Sequence, residues 1–247
     1  MRTLGRLSLA GAVVLGLTGF DHAGDRETAL ALIDKAIKAQ GGEAALTKVH
    51  TAVRTVSGVG SFGSGDVNFS DEVTFSLPGR MKQVLKLDKA GQVITVVNGD
   101  RGWRSAGGAV LELAKEGLDE LRESVYFEEW LTTLVPLKKD GFDLAPVADK
   151  PVEGKLAAGI KVSSKGRGDA RLYFDKTSGL LVKFERQTKD AGFVVNKEYF
   201  YGGYKDFDGV KLPTKRTELI NGKKFIELNS ATYRFPGKVD DATFGRP

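Results

Sequence analysis

The sequence has no cysteine, and its 247 residues include only two histidines, His22 and His50. Without cysteine there can be no disulfide bonds, no thiolate metal ligands, no cysteine nucleophile and no lipid anchor on an N-terminal cysteine. Two histidines leave almost no material for a Ser-His hydrolase or a histidine zinc site. We therefore expect no metal, no cofactor and no catalytic residues, and so a protein that is not an enzyme.

The chain also lacks an apolar run long enough to cross a bilayer core, which takes roughly 20 residues. The run from Leu7 to Phe20 is shorter than that and follows Arg2 and Arg6. This arrangement predicts a secretory signal over residues 1–23, cleaved between residues 19 and 24, with an uncleaved tether as the alternative. An exported, periplasmic protein follows from it.

A concentrated basic surface is missing as well. The net charge is +5, and acidic residues are spread along the chain, which argues against nucleic acid as a partner. The basic stretch of Lys211, Lys215, Arg216, Lys223 and Lys224 predicts a solvated hairpin, with transient contact to a membrane surface as a lesser reading. Residues 24–247 are expected to form one domain, because all-β domains commonly reach about 200 to 250 residues.

Alternating apolar and polar side chains dominate the chain from Thr51 onward. Such alternation is typical of antiparallel strands with one covered face. Asn98-Gly99 and Asn221-Gly222 are two-residue hairpin signals. The pattern predicts about nine to eleven strands, with a polar stretch rather than strands between Pro136 and Leu172.

Two helical regions accompany the strands. Asp25 is placed to cap a first helix that Gly41-Gly42 ends, and a short turn follows over residues 43–49. The second region, Leu111 to Leu137, carries an apolar stripe that changes phase after Val125, which indicates either two helices broken near Ser124 or one helix with a broad apolar face. The fold class is therefore mainly β, with one large curved antiparallel sheet, an incomplete half barrel, and helices covering its concave face.

Two short motifs resemble ligand loops. Residues 58–63 fit the dinucleotide pattern GxGxxG, but a strand pattern follows where a phosphate-binding helix is required, so a bent or bulged hairpin is the better interpretation. Asp206, Asp208 and Gly209 resemble the start of a calcium loop. The further acidic ligands are missing, which indicates an ordinary turn.

Three segments together resemble the LolA-like superfamily of outer-membrane lipoprotein-sorting and related periplasmic proteins. They are Ala36 to Val49, Val96 to Arg104, and Tyr204 to Lys215 with the closing stretch Val239 to Pro247. The resemblance implies a strongly curved, incomplete antiparallel barrel plugged by helices, with a cavity for acyl chains of lipids or lipoproteins. The sorting carriers use a lone cavity arginine, which the resemblance does not assign to a position in this chain.

We accordingly expect a non-enzymatic binder of a lipid, a lipoprotein acyl chain or a similar apolar ligand. An acyl chain that leaves a bilayer gives up about 0.8 kcal/mol per methylene, so the protein must offer a dry apolar pocket. The alternative is an envelope interaction or sensor module whose cavity is plugged by its own helices and whose partner is another envelope protein. The candidate cavity residues are Trp130, Phe127, Leu131, Leu134, Phe75, Trp103 and Phe174.

Overall fold

The computed structural model describes residues 22–63, 65–88, 90–190 and 192–247. Its α-helices are α1 (His22–Gln40), α2 (Glu43–Leu46) and α3 (Lys115–Leu131), and short 3-10 helices span Thr47–His50, Val135–Lys138 and Asp241–Phe244. The strands are β1 (Thr51–Ser61), β2 (Asp66–Ser76), β3 (Arg80–Leu87), β4 (Gly91–Asn98), β5 (Arg101–Ala106), β6 (Ala109–Glu112), β7 (Phe142–Val152), β8 (Lys155–Ser164), β9 (Ala170–Asp175), β10 (Leu181–Asp190), β11 (Phe193–Gly202), β12 (Lys205–Phe207), β13 (Val210–Leu212), β14 (Lys215–Ile220) and β15 (Lys223–Arg234).

Thirteen strands form one open antiparallel sheet in the order β6-β5-β4-β3-β2-β1-β15-β14-β11-β10-β9-β8-β7, and β12 and β13 form a separate hairpin. Within the described part of the chain, β6 and β7 each pair with a single strand, so they are the edges of the sheet and the sheet does not close. The pairing of β1 with β15 near the two chain ends joins the two halves of the molecule. This confirms the predicted class of a large open antiparallel sheet, with more strands than the nine to eleven expected.

Helices α1 and α3 pack on the same side of this sheet, which we call the inner face. The main core lies there and joins Ala29, Ile33 and Ile37 of α1 to Phe127 and Trp130 of α3 and to side chains of β7 to β10. A second group, the α3 cluster, consists of Val73, Phe75, Met81, Val97 and Val125.

A third apolar group on the inner face contains no helical residue. It consists of Val56, Phe69, Leu228 and Ala231, with Phe62, Leu85, Leu87 and Ile226 packed against it, and we call it the hairpin cluster. On the opposite face, Val96, Trp103 and Phe244 form an outer cluster beneath the C-terminal segment.

The helical insert differs from its predicted bounds. Leu111 lies in β6 and is 69% exposed, and α3 runs without a break from Lys115 to Leu131. The alternative of one helix with a broad apolar face is therefore the correct one, and its apolar stripe changes phase near Ser124 because α3 crosses between two apolar groups. Its first half, through Leu118, Leu121 and Val125, packs on the α3 cluster, and its second half enters the main core.

The first helix and the two ligand-loop motifs lie close to expectation. Helix α1 begins at His22, so Asp25 lies in its first turn, and the helix ends one residue before Gly41. Residues 1–21 of the predicted signal lie outside the described residues. The GxGxxG segment continues as strand through Ser61, with a bulge against β15 next to Gly58, where a Cβ atom would collide with the Glu227 carbonyl oxygen. Asp206–Gly209 forms an ordinary turn between β12 and β13.

None of the helices in the described part of the chain is both long and apolar enough to cross a membrane.

Candidate functional site

The structure separates the predicted cavity residues into four places. Trp130, Phe127, Leu134 and Phe174 belong to the main core and are at most 5% exposed. Phe75 lies in the α3 cluster. Trp103 lies on the opposite face, in the outer cluster, and cannot share a cavity with Trp130. Leu131 alone among the seven lines the cavity described below.

Tight aromatic packing fills the region around Trp130. The centroid of its ring lies 5.2 Å from that of Phe127 and 6.1 Å from that of Phe184. Tyr126 and Phe142 complete the surround at 6.4 and 6.2 Å. These distances are those of favourable aromatic pairs in a protein core. In this conformation the space beneath α3 is therefore occupied by the protein's own side chains.

A cavity of about 70 Å³ lies beside this core, between the ends of α1 and α3 and the sheet. Its wall includes Gln40, Arg54, Glu128, Leu131, Thr132, Tyr201, Tyr204, Lys215, Arg216, Leu228, Ala231 and Tyr233. Such a volume corresponds to about two water molecules at liquid density, whereas ligand pockets usually measure about 300 to 1,000 Å³. The cavity can hold a small polar group but not an alkyl chain.

Arg54 and Glu128 both line the cavity and form an ion pair between the sheet and α3. Arg54 projects from β1 on the inner face, and its Nη1 donates to Oε1 of Glu128 on α3 at 2.7 Å. The side chains are 17% and 24% exposed. Burial is the largest single effect on Arg54 and lowers its pKa, but the charge and hydrogen bond of Glu128, together with Tyr233 and Asp71, outweigh it and raise the pKa above its ordinary value. Arg54 is thus positively charged, and the carboxylate of Glu128 on α3 balances its charge.

Arg216, on β14, is the second arginine of the wall and is less fully paired. Its nearest carboxylate is that of Glu218, at 3.9 Å from Nη2, and Glu218 also lies 3.7 Å from Nζ of Lys197. Among the described residues, Nε of Arg216 is buried and has no hydrogen-bond partner. An unpaired buried donor of a charged group is costly, so this guanidinium has binding capacity to spare.

Tyrosines supply much of the remaining wall. The hydroxyl of Tyr233 donates to the carbonyl of Pro213 at 2.9 Å, and that of Tyr204 donates to the carbonyl of Leu181 at 2.6 Å. Burial raises the pKa of Tyr201 well above its ordinary value, with nearby Arg216 acting against that effect. These phenols are therefore neutral hydrogen-bonding groups at neutral pH and do not serve as bases.

The cavity borders the hairpin cluster, because Leu228 and Ala231 belong to both. Asp71 lies on the same face, where its Oδ2 accepts from Nε2 of Gln83 at 2.9 Å. Among the described residues, its buried Oδ1 has no partner, and burial raises the pKa of Asp71 above that of an exposed aspartate. A band of charged and polar groups thus lies between two apolar areas of the inner face.

Arg186 forms a second ion pair between the sheet and α3. Nη1 of Arg186, on β10, donates to Oε1 of Glu123 at 2.8 Å, and its guanidinium carbon lies 4.1 Å from the centroid of the Phe127 ring. This pair and the Arg54–Glu128 pair thus link α3 to the sheet at two helix positions, Glu123 and Glu128.

Sequence reasoning assigned Arg216 to a solvated hairpin, and the structure corrects this for that residue alone. Lys211, Lys215, Lys223 and Lys224 are exposed, although Lys215 also borders the cavity, whereas Arg216 is half-buried in the cavity wall. The sequence signal that could have shown this is the alternation of strand side chains between the two faces of the sheet. Arg216 and Glu218 occupy alternate positions of β14, opposite Tyr201 and Tyr199 of β11, so these charges share the inner face with aromatic residues.

Comparison of the backbone with solved structures identifies the fold. A LolA superfamily protein from Nitrosomonas europaea aligns with a TM-score of 0.55 and 10% identity, over 88% of this chain and 97% of that one. The chain has the LolA-like fold. An outer membrane lipoprotein-sorting protein domain from Vibrio parahaemolyticus aligns with a TM-score of 0.50 and 12% identity, over 86% and 97% of the two chains.

A DUF1329 family protein from Desulfovibrio piger also aligns, with a TM-score of 0.54 and 13% identity, over 88% of this chain and 97% of that one. The sequence matches no protein-family model and none of the curated proteins. At these identities the likeness establishes the fold, and the residues of the inner face must supply the functional argument.

Proposed function

We propose that this protein is an exported, non-enzymatic binding protein for a lipid, a lipoprotein acyl chain or a similar amphipathic molecule. The observation that carries the proposal is the cavity at the border of the helix-free hairpin cluster, on the inner face of an open LolA-like sheet. Lipoprotein sorting, named for the Vibrio parahaemolyticus structure, supports an envelope location and a lipid-type ligand for this chain as well.

Accommodation of a whole alkyl chain requires α3 to move, because the cavity is only about 70 Å³. The helix is suited to such a movement. Its N-cap, Ala114, provides no side-chain hydrogen bond, and beyond its C-terminal end Leu134 adopts a left-handed conformation with φ of 61°. A left-handed leucine costs about 1 to 2 kcal/mol relative to right-handed backbone, so the chain just beyond α3 is locally strained.

The lack of cysteine allows a direct test of this movement. Asp100 and Arg122 form an exposed ion pair of 3.0 Å between the β4–β5 turn and α3, and neither lines the cavity. In the variant Asp100→Cys/Arg122→Cys, a short thiol-specific cross-linker would fix α3 to the sheet, and the uncross-linked variant is its matched control. Binding of an environment-sensitive fatty-acid probe is the readout.

We expect saturable binding to the wild type and the uncross-linked control, and at least tenfold weaker binding after cross-linking. Equal binding in all three would show that α3 does not have to open. If the wild type binds no probe and native mass spectrometry finds no lipid on protein purified from its own envelope, the proposal of a lipid binder is wrong.

A second function is favoured by the filled interior. A main core packed with its own aromatic side chains fits an interaction or sensor module of the same fold, with another envelope protein as partner. This reading predicts no lipid and no probe binding, together with a stoichiometric complex with one defined partner in pull-down experiments.

A further inference from the structure

The charged side chains that line the cavity do not balance one another. Arg54 is neutralised by Glu128 across 2.7 Å, and the wall also carries Arg216 and Lys215. The nearest further carboxylate, that of Glu218, lies behind the wall at 3.9 Å from Arg216 and is shared with Lys197 at 3.7 Å. Asp71 lies nearby, outside the wall, and burial disfavours its ionisation. The residues that line the cavity therefore carry more positive than negative charge, and Arg216 has only the long contact to Glu218 and a buried Nε that no described residue accepts from.

Arg216 also has suitable geometry for an anion. A guanidinium presents donors in a planar fork that matches carboxylate and phosphate oxygens. The neighbouring carboxylate of Glu218, at 3.9 Å, is beyond hydrogen-bond distance. The Tyr201 hydroxyl belongs to the same wall and can donate to the same anion.

The dimensions agree with this assignment. A volume of about 70 Å³ matches a carboxylate or phosphate group and excludes the chain attached to it. Leu228 and Ala231 continue the wall into the hairpin cluster, whose partly exposed side chains Phe62, Leu85, Leu87 and Ile226 form an apolar surface beside the cavity. A charged cavity followed by an apolar surface matches the order of head group and tail in a single-chain amphiphile.

We propose that Arg216 binds the anionic head group, carboxylate or phosphate monoester, of a single-chain lipid whose tail runs along the hairpin cluster. This inference rests on the proposed function of lipid binding and adds head-group selectivity to it. Arg54, engaged by Glu128, serves the closed position of α3 and does not bind the head group.

The test compares a fatty acid, the fatty alcohol and the lysophosphatidate of the same chain length as competitors of the fluorescent probe. Measurements are made at about pH 8, where a carboxyl group is ionised. Inorganic phosphate and acetate alone form a further arm, which distinguishes a lipid head group from a free anion. The variants are Arg216→Gln, Arg216→Lys and, as a control with the same change of charge, Lys211→Gln on the exposed side of β13.

We expect the wild type to bind at least one of the two anionic lipids about tenfold or more tightly than the alcohol, since a hydrogen bond to a charged group has about that effect. Arg216→Gln should remove this preference and leave alcohol binding within about twofold, Arg216→Lys should retain part of it, and Lys211→Gln all of it. Whether acid or lysophosphatidate binds better identifies the head group.

Other outcomes overturn the inference in distinguishable ways. Equal binding of acid, alcohol and lysophosphatidate to the wild type would retain lipid binding and reject a head-group site. An equal loss for all three in Arg216→Gln would indicate a merely structural arginine. Competition by phosphate or acetate alone as strong as by the lipids would assign the site to a free anion. Binding of none of the lipids would reject the proposed function itself. The wild-type comparison stands even if Arg216→Gln fails to fold.

Discussion

Replacement of Trp130 by alanine distinguishes a core residue from a ligand-lining one. The indole is 2% exposed and contacts four aromatic rings at centroid distances of 5.2 to 6.4 Å. Loss of such a side chain removes its burial and leaves a cavity that rigid neighbours fill only in part. Comparable substitutions cost about 3 to 5 kcal/mol, a large share of the roughly 5 to 15 kcal/mol that stabilises a domain.

Urea denaturation followed by far-ultraviolet circular dichroism measures this cost. With a denaturant slope of about 2 to 3 kcal/mol per molar, the midpoint should fall by roughly 1 to 2 M. Trp130→Phe is the matched control, because it keeps an aromatic ring and removes an indole N–H that has no hydrogen-bond partner among the described residues. We expect it to cost about 1 kcal/mol or less.

The opposite result would change the view of the inner face. If Trp130→Ala lowers stability by less than about 1 kcal/mol and yet abolishes fatty-acid probe binding, the indole faces space that a ligand fills, and the aromatic packing described above does not represent the resting state. The probe should then raise the urea midpoint of the wild type and leave that of Trp130→Ala unchanged.

Further predictions concern single polar or backbone features. Asp71→Asn should raise the unfolding free energy at pH 7 by on the order of 1 kcal/mol; because burial raises the pKa of Asp71 above 3.8, ionisation opposes folding, and the gain in unfolding free energy should vanish as the pH falls below about 3.8. A stability profile against pH that is parallel for both proteins would contradict this. Glu123→Gln leaves Arg186, whose side chain is 5% exposed, without its carboxylate and should cost about 1.5 to 3 kcal/mol, part of which Glu123→Gln/Arg186→Met should restore; additive losses in thermal unfolding would argue against a coupled pair. Glu153 has φ of 47° in the β7–β8 turn, and the β14–β15 turn has an asparagine, Asn221, in the same conformation. Glu153→Asn should therefore raise the melting temperature by a few degrees, equivalent to about 0.5 to 1 kcal/mol. An unchanged or lower melting temperature would show that the turn is not strained.

The first half of the sheet could be predicted from the sequence because its strands alternate cleanly and its turns carry glycine. The β4–β5 turn is Gly99-Asp100, one residue later than the predicted Asn98-Gly99, whereas the predicted Asn221-Gly222 does form the turn between β14 and β15. The strands β7 and β8 were missed, since Pro146, Pro151 and a charged bulge between Val147 and Lys150 obscure the alternation of an edge strand. Proline in a strand sequence argues against a central strand but is tolerated at an edge.

The candidate site was less predictable than the fold. Apolar residues such as Trp130 and Phe174 could be recognised as buried, but whether a buried side chain fills a core or lines a cavity depends on neighbours from distant parts of the chain. The cavity wall joins Gln40 of α1, Glu128 of α3 and Arg216 of β14. Only long-range pairing, such as that of β1 with β15, brings these segments together.

The two free margins of the sheet restrict how this molecule can associate with others. Strand β6 has only four residues, and β7 carries two prolines, which offer no N–H for a ladder, as well as a bulge that disrupts its regularity. Exposed sheet margins of this kind resist pairing with a foreign strand. Another protein chain is therefore hindered from adding a strand at either edge. The surface that remains for contact with other molecules is formed by side chains, including those of the inner face.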